Sequence, residues 1–167
     1  NLCPFVELPG IAVLGINTAR SLTVKDGRIN QDQVTFIRDT FSRSPSDAFR
    51  ILVTHHPLFA LEVAGERERA IGRQELALDA IQEAGVDMLL AGHNHHASTY
   101  SASDLVTRAG GALVVQAGTA TSTRLREQEQ SFNTIDVGDA SVTITVNAWK
   151  GGTFAPLDAQ RYAWAEG

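Results

Sequence analysis

Four short apolar runs, Ile11 to Ile16, Ile51 to Val53, Met88 to Ala91 and Leu113 to Val115, are set apart by two stretches of helical periodicity. The runs are apolar on consecutive positions, which suits strands buried on both faces of a sheet. The first helical stretch opens near Asn30, an N-cap residue type with Gln33 three positions on. It places Val34, Ile37 and Phe41 on one face and should end before Ser44-Pro45. The second runs from about Arg73 to Ala84, with Leu76, Ala77, Ala80 and Ile81 on one side and Gly85 as the stop. Strand, helix, strand is the pattern of a parallel pair joined by a right-handed crossover. The Ile51 and Met88 strands are therefore expected to be parallel neighbours whose C-terminal ends share an edge.

Beyond Leu125 the pattern becomes alternating. Phe132, Thr134 and Asp136 form one set, and Val142, Ile144, Val146 and Ala148 recur two apart, so the pair reads as an antiparallel hairpin joined at Gly138-Asp139. Arg126 to Gln130 reads as a loop, Arg161 to Gly167 as a tail or an edge piece, and Trp149 and Trp164 as packing residues. No repeat, low-complexity segment or linker divides the 167 residues, which suit a single domain over 1–167.

Charge and composition exclude several classes of function. Fourteen Lys and Arg against nineteen Asp and Glu leave a net charge of −5, so no general field attracts nucleic acid or an anionic membrane. Cys3 is the sole cysteine, which excludes an intrachain disulfide and thiolate clusters. No apolar run approaches the ~20 residues that span a bilayer, and no leader-like segment opens the chain, so a soluble, cytoplasmic protein is expected. The first residue, Asn1, hints that the true start lies elsewhere.

All five histidines fall into two clusters, His55-His56-Pro57 and Gly92-His93-Asn94-His95-His96, each directly after a buried apolar run. If those strands are parallel, both clusters emerge at the carboxyl edge of one sheet, where open α/β folds place ligands. His93 and His95, two apart, direct their rings to one side, and His55 joins them as a third imidazole. Such a set is suited to Zn, Mn, Fe, Ni or Co. Asn17 and Arg20 follow the first run and Arg124 lies beyond the fourth, so these residues are candidates to meet a phosphate oxygen at the same edge. A Walker lysine is lacking, as is a Gly-x-Ser-x-Gly elbow, so nucleoside triphosphate binding and serine hydrolase chemistry are poor readings.

Thr54-His55-His56-Pro57 followed by Ala91-Gly92-His93-Asn94-His95 resembles the last two motifs, His-x-Pro and Gly-His-x-His, of the calcineurin-like metallophosphoesterases. The text from Ile11 to Thr119 is similar to the C-terminal half of bacterial members close to the cyclic-nucleotide and glycerophosphodiester phosphodiesterases. The resemblance implies an α/β fold, the C-terminal half of a four-layer α/β/β/α sandwich with a mixed sheet and a C-terminal antiparallel hairpin. It implies two divalent or trivalent metal ions in the intact enzyme, Mn, Zn or Fe, with His55 and His93 on one and His95 on the other. His56 and His96 match no ligand position, and together with Asn94 they are candidates for support around the ligands.

The family's Asp-x-His, Gly-Asp and Gly-Asn-His-Asp or Gly-Asn-His-Glu motifs do not occur ahead of His55, and Gly138-Asp139 lies in the expected hairpin turn. The bridging carboxylate and the general acid are therefore absent, and the chain itself should hold at most one metal. Two functions follow: metal-dependent hydrolysis of a small phosphoester, complete only with the missing N-terminal half, or a weak or inactive metal-binding or assembly piece. The face that the missing half would cover makes a homo-oligomer or a retained N-terminal fragment the expected partner.

Overall fold

The computed structural model describes residues 3–18, 29–58, 62–63, 66–67, 73–92, 106–109, 111–121 and 130–163. In chain order the elements are β1 (Phe5–Leu8), β2 (Ile11–Ile16), α1 (Gln31–Phe41), β3 (Phe49–Thr54), β4 (Glu62–Val63), β5 (Glu66–Arg67) and α2 (Gln74–Ala84). They continue with β6 (Met88–Ala91), β7 (Val106–Ala109), β8 (Ala112–Gln116), β9 (Ser131–Val137), β10 (Ser141–Lys150) and β11 (Thr153–Ala163). No helix among the described residues is long and apolar enough to cross a membrane.

Helix α1 starts where a reciprocal cap can form. Asn30 has extended backbone and its side chain accepts from Gln33 N at 2.8 Å, while Gln33 Oε1 accepts from Asn30 N at 3.1 Å. Two of the helix's orphan donors are thereby satisfied. Val34, Ile37 and Phe41 face inward and are at most 2% exposed. Helix α2 ends at Gly85, which takes the left-handed conformation (φ 59°) as Val86 N closes back on Ile81 O at 3.0 Å. Its other end has no side-chain cap, and Arg73 sits there with φ 68°.

The main sheet has six strands in the order β1-β2-β3-β6-β8-β7. β1 is antiparallel to β2, whereas β2 and β3 are parallel from Ile11↔Phe49 to Ile16↔Thr54, and β3 and β6 from Ile51↔Met88 to Thr54↔Ala91. Helices α1 and α2 supply the two crossovers that parallel pairing requires. Both helices share one core with the sheet: Leu14, Leu52, Leu89 and Val114 meet Ile37, Phe41, Ala77 and Ile81. On the outer side of the helices Arg38 pairs with Glu83, both substantially exposed, so this pair adds little.

The amino ends of the central strands are tied by polar contacts. Arg50 N donates to Asp87 Oδ2 at 2.8 Å and Asp87 N to Arg50 O at 3.0 Å, while Leu113 N donates to Asp87 O at 2.9 Å. The Arg50 guanidinium reaches Ala84 O at 3.3 Å. Burial pushes the Asp87 carboxyl above its ordinary value of 3.8, against the opposing pull of the Arg50 N–H and of the Arg50 charge.

Burial on consecutive residues is complete in β8 and nearly so in β3 and β6, as the apolar runs predict. In β2 the expectation needs correcting: Ala12, Leu14 and Ile16 are buried, but Ile11, Val13 and Gly15 are only partly covered. The reason is position. The neighbour of β2 on its outer side is the edge strand β1, all four residues of which are exposed, so one face of β2 lies near the sheet's margin.

Contacts divide the chain into two compact units, Asn1–Gly92 with Arg108–Val115, and His93–Thr107 with Gln116–Gly167. The second contains an antiparallel sheet in the order β11-β10-β9. Its hairpin turns where the Gly138-Asp139 signal predicts. Val142, Ile144, Val146 and Ala148 are buried as a set, and Phe132, Thr134 and Asp136 exposed as another. Strand β11 was not foreseen over its first part. It pairs along the whole of β10, with a bulge at Val146/Asn147, so residues 161–163 are its end and form an edge piece, not a tail. Trp149 packs edge-on against Phe154 and keeps 40% of its surface exposed. Trp164 lies outside the described residues. The mixed α/β class and the C-terminal antiparallel hairpin are thus as the sequence indicates.

Candidate functional site

β3 and β6 run parallel and in register to their last residues, Thr54 and Ala91, so the chain leaves both strands at the same level. The residues that follow are His55 and Gly92. They are joined directly, Gly92 N donating to His55 O at 3.1 Å. The starts of the two histidine motifs therefore meet at the carboxyl edge of the sheet, as the strand-helix-strand pattern predicts.

The first motif is held by hydroxyls from both sides. Thr54 Oγ1, at the end of β3, donates to His56 O at 2.9 Å. Thr18, just past β2 and fully buried, accepts from His56 N at 3.2 Å and lies 3.0 Å from His56 Nδ1. Thr18 is in turn placed by its neighbour, since Asn17 O accepts from Gln33 Nε2 at 2.7 Å. The same glutamine that caps α1 thus fastens the turn after β2. Pro57 and Leu58 are buried behind the motif, and the His55 imidazole is exposed. The two rings meet edge to face, with centroids 4.7 Å apart and planes at 82°.

Of the candidate metal ligands, His55 is described and stands at the strand end; His93 and His95 lie outside the described residues. Among the candidate supporting residues, His56 is described, whereas Asn94 and His96 are outside. Of the candidate phosphate-facing residues, Asn17 is exposed at the end of β2, one strand from His55, and Arg20 and Arg124 are outside. Among the described residues no three His, Cys, Asp or Glu side chains come together as a ligand set. An exposed imidazole on a hydrogen-bonded strand end fits one ligand's place. The His56 ring, engaged through Nδ1 with Thr18, is differently placed.

Sequence reasoning missed Thr18 and Thr54. Each is a buried hydroxyl at a strand terminus, and such a group needs a partner. For Thr18 that partner is 38 positions away and comes near only through the β2–β3 pairing.

No family model matches the chain, and no curated protein matches it. Solved structures do show likenesses. A candidate 5'-nucleotidase from Staphylococcus aureus, in complex with alpha-ketoglutarate, is 12% identical with a TM-score of 0.44; the match covers 100% of this chain and 30% of that one. Vps29 from Chaetomium thermophilum is 13% identical with a TM-score of 0.42, over 92% of this chain and 97% of that one. Vps29 from Entamoeba histolytica, complexed with Zn, is 15% identical with a TM-score of 0.37, over 92% and 99%. This chain thus spans about a third of the length of the Staphylococcus protein and nearly all of the two Vps29 chains.

Proposed function

We propose that this chain is the histidine-bearing part of a metal-dependent phosphoesterase that hydrolyses small phosphodiesters or phosphomonoesters. The observation that carries this reading is the Gly92 N–H···O His55 bond, which brings the starts of the His-x-Pro and Gly-His-x-His motifs together at one sheet edge. The order and spacing of the two motifs support it. His55, His93 and His95 are the proposed ligands, and the ions are Mn, Zn or Fe. When bound, a pair of such cations supplies an acidified water and neutralises charge on the phosphate. The chain's own part is to hold the imidazoles on strand ends and to offer Asn17, Arg20 and Arg124 to phosphate oxygens. A pair of cations would need carboxylates to offset their mutual repulsion, and those would come from sequence ahead of this chain or from a partner. The protein acts in the cytoplasm.

Calorimetric titration with Zn and Mn tests the ligand set. This chain should bind one metal, and His55→Ala or His93→Ala should weaken binding at least ~10-fold, the low end of what losing a mere supporting group costs a metal site. Hydrolysis of bis(p-nitrophenyl) phosphate with added Mn should be slight for this chain and should rise by ~10²–10⁴-fold when the natural upstream sequence restores a general acid. Equal metal binding by the wild-type chain and both alanine variants would remove the reading.

A further inference from the structure

Gln33 sits in the first turn of α1 and engages two backbone groups with the two ends of one amide. Its Oε1 accepts from Asn30 N at 3.1 Å, completing the helix cap, and its Nε2 donates to Asn17 O at 2.7 Å, 16 residues back in the chain. These partners fix which way the amide lies. Turned over, it would set its NH2 group against the Asn30 N–H and its oxygen against the Asn17 carbonyl, two repulsive contacts in place of two bonds. The helix cap alone does not require an amide. Glutamate serves equally in a reciprocal cap and gains more from the positive end of the helix, but an ionised carboxylate only accepts and has nothing to donate to Asn17 O.

The contact that does require an amide lies beside the candidate site. β2 and β3 are parallel and in register to Ile16↔Thr54, so Asn17-Thr18 and His55-His56 leave the sheet side by side. Asn17 O belongs to the planar peptide that carries the Thr18 nitrogen, so a bond to it also places Thr18. Thr18 in turn accepts from His56 N at 3.2 Å. We infer that Gln33 is a positioning residue of the site: its Nε2–H holds the Asn17-Thr18 turn against α1, and through Thr18 it steadies the His55-His56 turn that presents the His55 imidazole. A helix thus anchors a strand-end imidazole through two hydrogen bonds in series, Gln33 to Asn17 and His56 to Thr18. Thr54 holds the His56 carbonyl as well, so losing the tether loosens the turn and does not release it. What the imidazole is used for rests on the phosphoesterase reading; the tether does not.

Two variants separate the tether from the cap. Gln33→Glu keeps the acceptor for Asn30 N and removes the donor to Asn17 O, whereas Gln33→Met, of similar length, removes both. In ¹H–¹⁵N spectra of the chain, both variants should displace the Thr18 and His56 backbone amide resonances. The Asn30 amide should stay hydrogen-bonded in Gln33→Glu and not in Gln33→Met, judged by its temperature coefficient. Calorimetric titration with Zn, at a salt concentration that screens the added carboxylate, should show both variants weakened alike by about 3- to 10-fold, short of what losing a group bonded directly to a ligand costs. Thr18 and His56 resonances that Gln33→Glu leaves in place would overturn the inference. Zn binding weakened in Gln33→Met alone would make Gln33 a cap residue only and overturn it too. A wild-type chain that binds no Zn defeats the metal reading, and the Thr18 and His56 resonances then decide the tether by themselves. Should Gln33→Met not fold, the wild type and Gln33→Glu carry the comparison.

Discussion

Asp87 shows how one half-buried carboxylate sets a pH dependence. Its pKa is raised above 3.8 by burial, so the folded state holds the proton more tightly than the unfolded chain does. The sign follows: stability tied to this group is greatest below its unfolded pKa and falls as pH rises through the raised value. Asp87→Asn keeps an acceptor for Arg50 N while removing the titration. The asparagine variant should therefore melt at or above the wild-type temperature at pH 7, and the gap should close as the pH approaches 4. Asp87→Ala should be less stable than Asp87→Asn by ~1–3 kcal/mol because Arg50 N loses its acceptor. Thermal melts of the three proteins from pH 4 to 8 check both statements, and an asparagine advantage that grows toward acid would contradict the assigned cause.

Among elements, α1 separates what burial contributes from what hydrophobicity alone suggests. Ile37 and Phe36 are adjacent and both large, but Ile37 is fully buried and Phe36 is 42% exposed. Ile37→Ala should cost about 2–5 kcal/mol, against roughly 0.5 kcal/mol or less for Phe36→Ser. Urea denaturation measures the contrast. At the end of α2, Gly85→Ala places a side chain in the left-handed conformation at a cost of ~1 kcal/mol. Its Cβ would also come 2.7 Å from Arg50 Nη1, but that is the far end of a flexible side chain and can move aside. The destabilisation should therefore stay near the backbone figure, and a much larger loss in the same denaturation series would show that the Arg50 contact to Ala84 O matters more than one hydrogen bond.

At the scale of the molecule, strand order dictates a gradient of stability in the main sheet. β3 and β6 lie inside it, paired on both sides, while β1 is an edge strand with every residue exposed. Amide hydrogen exchange should be slowest in β3 and β6 and should approach the local-opening limit in β1. Protection that is equal across the six strands would mean that β1 is covered in solution. The Gly92 amide, bonded to His55 O, should be protected together with β6 even though it lies beyond the strand.

Elements whose signals are local are legible in the amino-acid sequence. Asn30 and Gln33 announce the cap of α1, Gly85 the stop of α2, Gly138-Asp139 the hairpin turn, and consecutive apolar residues the inner strands, because each acts through neighbours within a few positions. The sequence also gathers all five histidines into two motifs, which makes them the candidate site residues. Strand β11 escaped because its alternation is weak: it is an edge strand largely exposed, and pairing with β10, more than burial, holds it extended. Tertiary structure alone decided that His55 and Gly92 are hydrogen-bonded neighbours across 37 positions, and that distant Thr18 joins the nearby Thr54 in holding His56. Parallel pairing joins residues distant in the chain, and a buried hydroxyl finds its partner only where the packed strands bring one within reach.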